Sequence, residues 1–376
     1  MKVLHFGTLD YNAGGPAMSA YLTLKGLREK KINAEISMFP LSPGGRLRGE
    51  DVPVHYCKKP LEEKFAYSRV LKHELKAVPD VDVYHAQGVW QYPTYAIVDV
   101  AREQGKPYLI TPRGMLYPQD IAKSNAFFKK LSLKWRLLRD LNLSSCVHVT
   151  CEDEMIHCRN LGVTSPIAII PNPVEIKEYL PQNRGSKFRI GYMGRISRRK
   201  NVEALIYAMD HLKLDDAELL IIGGGDKEYE SFLKSEVERL FLQNVKFAGF
   251  LSGEEKDKAL STISLLVMPS EFENLGNVIL EGLVRGIPCV ATKGAPWKDL
   301  VYYNCGWWVD YDQKAIENAI LSAYELSHAE FVEMGENGVS LMKSKYSVES
   351  VGNNMRDLYS WILGNGEKPL FVYENQ

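Results

Sequence analysis

Two glutamates with seven residues between them, Glu273 and Glu281, stand in the segment Ser270-Glu271-Phe272-Glu273-Asn274-Leu275-Gly276-Asn277-Val278-Ile279-Leu280-Glu281. Apolar runs on either side, Leu265 to Met268 and Pro288 to Ala291, give the rhythm of a strand, a turn, a helix and another strand. A helix starting near Gly276 leaves the amides of Asn274, Leu275, Gly276 and Asn277 as N-terminal donors, which suit an anion such as a phosphate. Glu281 then falls in the second helical turn, beside that anion, where it can reach a hydroxyl-bearing group. One carboxylate before the anion site and one beyond it fit the two polyol halves of a nucleotide-sugar. Taken alone, the same pair reads more readily as two solvated charges flanking a buried helix, so the reading depends on its company.

Gly191-Tyr192-Met193-Gly194-Arg195-Ile196-Ser197-Arg198-Arg199-Lys200-Asn201 follows a strand-like run from Phe188 and precedes an amphipathic helix from about Val202. Gly194 permits a tight turn, and Arg195 and Lys200 flank the loop, a planar fork and a compact charge able to neutralise a diphosphate. The plainer reading is a basic surface loop, since Arg198 and Arg199 make the whole segment cationic. At the amino terminus, Val3 to Phe6 reads as a strand, then Asn12-Ala13-Gly14-Gly15-Pro16, then a helix through Lys30. Gly14 and Gly15 let backbone approach a ligand, although no G-x-G-x-x-G dinucleotide fingerprint is present and, taken alone, the segment reads as a plain strand-to-helix turn. Two further loops, Tyr84-His85-Ala86-Gln87-Gly88-Val89-Trp90 and Thr111-Pro112-Arg113-Gly114-Met115-Leu116, follow strand-like runs, where an open parallel sheet places ligand-binding groups. His85 is either a ligand-facing group or a satisfied structural histidine. Arg113 beside Gly114 is a cation free to reach a ligand.

These residues resemble the retaining nucleotide-sugar glycosyltransferases of family 4, which have the GT-B fold. The resemblance extends over nearly the whole chain: the glycine pair, the His85 loop, Pro171-Asn172-Pro173-Val174, Gly194-Arg195 with Lys200-Asn201, and the glutamate pair. Asn274, Gly276 and Asn277 between the glutamates, followed by Lys293-Gly294-Ala295-Pro296-Trp297, look most like bacterial enzymes assembling surface polysaccharides. The resemblance implies that Arg195 and Lys200 bind the donor diphosphate, Glu281 the ribose hydroxyls and Glu273 the transferred sugar, with Asn274 to Asn277 completing the cradle. Gly249 and Phe250 would lie near the base, and Gly14 and Gly15 would approach phosphates or acceptor from the other domain. Many relatives carry a catalytic-site histidine where this chain reads Pro112-Arg113-Gly114, which leaves the sugar contact to Arg113, to His85, or to neither.

Such a site works without a metal or resident cofactor. Negative charge develops on the departing diphosphate, so fixed cations and amides supply the stabilisation. The donor is expected to be a UDP- or GDP-sugar, the acceptor a glycan or lipid-linked glycan. Retention is implied, with the leaving phosphate taking the acceptor's proton. Glu273 as a nucleophile needs a second carboxyl about 5 Å away across the bond, and the sequence offers no evident partner.

A chain of 376 residues exceeds the size at which one core stops growing. Alternating strand and helix signals run from Lys2 to Pro173 and again from Phe188 to Asp310, predicting an α/β protein of two Rossmann-like doubly wound parallel sheets facing across a cleft. The expected domains are 1–180, on the acceptor side, and 181–346, on the donor side, with 347–376 packing back onto the first. The best linker candidate is the polar run Leu180 to Ser186. A formal net charge of −1 gives no reason to expect nucleic acid. Six cysteines without a C-x-x-C pair support neither a zinc ribbon nor a redox motif, and the Cys146, His148, Cys151, His157, Cys158 group reads as packing. With no secretory leader and no apolar run of about 18 residues, a cytoplasmic protein is expected. Residues 127–139 place Phe127, Phe128, Leu131, Trp135 and five cations at helical spacing, which is either a peripheral membrane contact or a half-buried domain helix with a basic outer face. Trp90, Gln91, Tyr117 and Trp297 are sugar-stacking candidates or local core. Rival functions are a non-catalytic nucleotide-sugar sensor, a GT-B-type epimerase or a phosphorylase, the last without an identifiable lysine for its cofactor.

Overall fold

The structure, a computed structural model, describes residues 1–49, 51–122, 125–180 and 187–375. The chain divides into two compact units, one formed by Met1–Glu175 with Ser347–Gln376 and the other by Ile176–Tyr346. Most of the linker candidate, 181–186, lies outside the described residues.

In the first unit the strands are β1 (Lys2–Phe6), β2 (Asn33–Met38), β3 (Val54–Tyr56), β4 (Val83–Gln87), β5 (Tyr108–Thr111), β6 (Cys146–Val149) and β7 (Ile167–Ile169). In the second they are β8 (Phe188–Met193), β9 (Ala217–Ile222), β10 (Val245–Gly249), β11 (Leu265–Met268), β12 (Cys289–Thr292) and β13 (Gly306–Val309). The chain then returns to the first unit and ends in β14 (Val372–Tyr373). The first sheet runs β14-β7-β6-β5-β4-β1-β2-β3 and the second β10-β9-β8-β11-β12-β13. Every pairing is parallel except that of β14 with β7. These are the two doubly wound α/β sheets the alternation predicts. Strand order reverses between β1 and β4 in one sheet and between β8 and β11 in the other, and ligands of open α/β sheets bind outside the strand ends at such a switch point.

The central strands are buried on both faces, which is why they read as continuous apolar runs; Val83, Tyr84 and Ala86 in β4 and all four residues of β11 are enclosed. Helix positions follow local signals: Pro16 sits in the first turn of the helix Gly15–Glu29, and Ser347 caps the C-terminal helix Val348–Ile362 by accepting from the Ser350 N–H. Those two helices pack at glycines. A Cβ on Gly352 would stand 2.8 Å from the Gly26 carbonyl oxygen, and one on Gly26 would stand 2.6 Å from that of Val348. Val174 and Ser347 form a parallel bridge where the chain leaves and re-enters this unit.

Candidate active site

In the second unit the loops after β8 and β11 leave adjacent strands, at the switch point. They are joined by an ion pair between Lys200 Nζ and Glu273 Oε1 and by the Glu271 N–H, which donates to the Arg199 carbonyl at 2.9 Å. The Glu273 N–H donates to the Gly294 carbonyl at 2.8 Å, tying the same loop to the end of β12. Trp297 Nε1 donates to the Leu275 carbonyl and Thr292 Oγ1 to that of Ser270. Trp297 is completely buried and stacks on Tyr346, so its candidacy as a sugar platform is corrected: it buttresses the glutamate loop from behind. Gly276 sits at φ +78° and caps the helix Asn277–Leu283; a Cβ there would come within 2.7 Å of the Met268 side chain. The helix has seven residues, so its pull on an anion comes from local N–H groups more than from a long dipole. Among the described residues the N–H groups of Leu275 and Gly276 have no partner.

Beside Lys200, the loop after β8 carries Arg195, Arg198 and Arg199, and the structure separates their roles. Arg195 is exposed and makes no ion pair among the described residues. Arg198 lies 5.4 Å above the Tyr229 ring and 5.6 Å above that of Phe232, a packing role, while Arg199 stacks on Phe272 at 5.9 Å. Burial pushes the Tyr192 phenol well up, and the Glu273 carboxylate adds to the shift. Its hydroxyl donates to the Arg195 carbonyl at 2.9 Å, fixing the start of the basic loop. Glu281 accepts from Lys256 Nζ at 2.6 Å. Each glutamate of the pair thus holds a lysine.

Sequence reasoning missed Lys256, which sits on the helix Gly253–Leu260 and has no motif around it. It also missed Gly223-Gly224-Gly225. A Cβ on Gly223 would fall 1.9 Å from the Gly194 carbonyl oxygen and one on Gly225 2.3 Å from that of Ile196, so this run lets the backbone after β9 lie directly against the Arg195 loop. Three successive glycines between an apolar run and Asp226, which caps the next helix, were the available signal. Gly249 closes β10 and accepts from the Gly223 N–H at 2.7 Å, while Phe250 beyond it is 74% exposed.

In the first unit, Gly14 caps the helix Gly15–Glu29 at φ 66°, ψ −132°, and a Cβ placed on it would meet nothing within 4 Å. Gly15 beside it is likewise exposed. Arg113 follows β5 at φ 54°, half-buried, and donates from Nε to Gln87 Oε1 at 2.9 Å and from Nη1 to Asn172 Oδ1 at 3.4 Å. Burial lowers its guanidinium to about 10. The buried Glu154 carboxylate accepts from the Gly114 N–H and from Thr150, which fixes the Arg113-Gly114 turn. His85 is corrected as a catalytic candidate. It lies inside β4 with no exposed surface, its Nδ1 bonded to Tyr359 at 2.7 Å and its Nε2 to Thr111 at 2.6 Å. A parallel strand covered on both faces leaves no side to present to a ligand.

A profile for "Glycosyl transferase 4-like domain" matches residues 14–173 and one for "Glycosyl transferases group 1" matches residues 177–340. Sulfoquinovosyl transferase of Arabidopsis thaliana is 34% identical over 128 residues, covering 34% of this chain and 24% of the relative. Alpha-monoglucosyldiacylglycerol synthase of Streptococcus pneumoniae is 26% identical over 190 residues, covering 50% of this chain and 42% of the relative. The matches thus span less than half the length of these relatives. In fold, the chain is similar to Anabaena HepE solved with UDP-glucose, at TM-score 0.75 and 16% identity over 96% of this chain and 100% of that one. Sucrose-phosphate synthase from Thermosynechococcus elongatus gives TM-score 0.74 and 18% identity over 97% and 99%.

Proposed function

We propose, for a chain that belongs to the glycosyltransferases of GT-B type, that it transfers a hexose with retention from a UDP- or GDP-sugar to a glycan or lipid-linked glycan in bacterial surface-polysaccharide assembly. The observation that carries this reading is the Lys200–Glu273 pair at the switch point of the second sheet, on the same loop as an exposed Arg195 that makes no ion pair among the described residues. Arg195 and Lys200 would take the diphosphate, helped by the amides from Asn274 to Asn277; Glu281 would accept from the ribose hydroxyls and Glu273 from the sugar. Each lysine now occupying a carboxylate stands where the ligand's groups would be received. Lys200 would turn to the diphosphate as it arrives, and Lys256 would yield Glu281 to the ribose. The bond from the anomeric carbon to the phosphate oxygen breaks and the acceptor oxygen bonds to that carbon on the same face, its proton passing to the leaving phosphate. Charge growing on the diphosphate is met by cations already in place, which makes metal-independent turnover the expectation. HepE binds UDP-glucose according to its structure, which favours UDP as the base to try first.

Residues 126–142 add a reading of where the acceptor is met. Leu137 and Leu141 are buried, whereas Phe127 is 73%, Phe128 67% and Trp135 76% exposed beside Lys130 and Lys134. Such a face suits peripheral contact with an anionic membrane. No described helix is long and apolar enough to cross one.

The test is a thermal-shift and turnover screen of UDP, GDP and their hexose conjugates, with chelator present, against soluble and lipid-linked glycans. A melting shift for one nucleotide family that Glu281→Ala abolishes, with transfer whose product keeps the donor's anomeric configuration by proton NMR, supports the reading. Binding without turnover over the whole acceptor set makes the protein a sensor, and inversion refutes the retaining mechanism.

A further inference from the structure

The core of the first sheet carries a row of polar side chains where an apolar core would be expected. Arg113 Nε meets Gln87 Oε1 at 2.9 Å; Gln87 Nε2 meets His5 Nδ1 at 3.0 Å; His5 Nε2 meets the Tyr359 hydroxyl at 3.0 Å. The same hydroxyl meets His85 Nδ1 at 2.7 Å, His85 Nε2 meets Thr111 Oγ1 at 2.6 Å, Thr111 Oγ1 meets His148 Nδ1 at 2.9 Å, and His148 Nε2 meets the Ile170 carbonyl at 2.8 Å. The end groups fix every proton. Arg113 can only donate, so Gln87 presents its oxygen to it and its NH2 to His5. His5 therefore accepts at Nδ1 and donates from Nε2 to Tyr359. From the other end, the Ile170 carbonyl can only accept, so neutral His148 carries its proton on Nε2 and accepts at Nδ1 from Thr111. Thr111 then accepts from His85 Nε2–H, and His85 Nδ1 accepts from Tyr359. The two deductions meet consistently at Tyr359, which accepts from His5 and donates to His85.

His5, His85, Thr111 and Tyr359 are completely buried and His148 is nearly so. Burial, with the nearby Arg113 charge, holds all three histidines neutral, His5 at about 3 and His148 at about 4. A polar row in this position is costly unless every member is satisfied, and here every ring nitrogen is. It starts at a half-buried cation in a left-handed turn, a conformation that only surrounding structure sustains. It passes through β1 and β4, the strands at the switch point. Its central member comes from the C-terminal helix, 274 residues beyond His85.

We propose that Tyr359 is a positioning residue for Arg113, acting through His5 and Gln87 to hold the guanidinium in the one orientation from which it contacts the substrate. Only the substrate contact rests on the glycosyl-transfer reading; the orientation of Arg113 does not.

The experiment pairs Tyr359→Phe, which removes one hydroxyl, with Gln87→Met, which cuts the row at a half-exposed position where folding is less at risk. Two quantities are read: solvent exchange of the Arg113 Nε–H by nitrogen-15 NMR, and a double-mutant cycle on kcat with Arg113→Ala. Expected are loss of Nε–H protection in both variants, a fall in kcat of about tenfold at unchanged donor KM, and no further fall when either is added to Arg113→Ala. Retained protection in Tyr359→Phe, or losses that multiply with Arg113→Ala, would overturn the proposal. Should the wild-type protein transfer no sugar, the glycosyl-transfer reading fails separately, and the exchange measurement still decides the orientation of Arg113.

Discussion

Lys200 and Arg195 belong to one basic loop, yet their surroundings predict opposite signatures. The Lys200 and Glu273 side chains are 17% and 11% exposed, so Lys200→Ala strands a carboxylate with little water around it. About 1–3 kcal/mol of stability should be lost with activity, and adding Glu273→Gln should restore most of the stability and none of the turnover. Arg195 is exposed and makes no ion pair among the described residues, so Arg195→Ala should leave the melting temperature nearly unchanged while kcat falls about 10²-fold, the scale of losing one preorganised charge. Urea unfolding beside turnover checks both, and an Arg195→Ala enzyme of normal rate removes that residue from the diphosphate site. Spacing and side-chain chemistry singled out Arg195, Lys200, Glu273 and Glu281, because strand-turn-helix rhythm assigns the first three to loops after strands and Glu281 to the helix that follows. His85 was legible only as a polar residue in an apolar run. The missed clue was that His5, His85 and His148 each occur inside such a run, and buried polar groups in a parallel sheet must find partners in one another.

At the scale of elements, the contact between the helices Gly15–Glu29 and Val348–Ile362 depends on the missing side chains of Gly26 and Gly352. Gly352→Val would force the C-terminal helix outward, at about 1–3 kcal/mol for overpacking, and should also expose the Arg113 Nε–H to exchange, since Tyr359 rides on that helix. A melting curve and the exchange rate test the two effects, and destabilisation with unchanged exchange would uncouple the helix from Arg113. The segment 126–142 contains the 127–139 run whose sequence reads either as a membrane contact or as a half-buried helix with a basic outer face. Arg136 turns inward to Asp99 at 2.6 Å and Asp140 at 3.2 Å, and Arg139 pairs with Asp140 at 2.9 Å. The outward face is therefore aromatic, with Lys130, Lys134 and the exposed Arg139. Phe128→Ser with Trp135→Ser should cut binding to phosphatidylglycerol vesicles by about tenfold or more, and binding by the double variant equal to wild type would eliminate the membrane face.

For the whole molecule, the three buried histidines set the response to acid. Their native values lie below the usual 6.5, so between pH 6.5 and about 4 the unfolded chain binds protons that the native one refuses. Stability is then fully present above pH 6.5 and declines as pH falls, by up to about 1.4 kcal/mol per pH unit for each histidine. Burial raises the carboxyls of Glu154 and Glu203, which oppose this trend; unfolding free energies from pH 7 to 5 should still fall, and a slope of less than one proton would mean the row is not closed and neutral. The sequence by itself determined the alternation of strands and helices, the doubly wound class and the residues at strand ends, because those depend on periodicity and turn chemistry among near neighbours. Only the tertiary structure decided which loops meet, that Lys256 reaches Glu281, that Trp297 and His85 face inward, and that Tyr359 closes the row. These contacts follow from sheet order and from the return of the C-terminal helix. They join residues tens to hundreds of positions apart, over distances where local patterning carries no information.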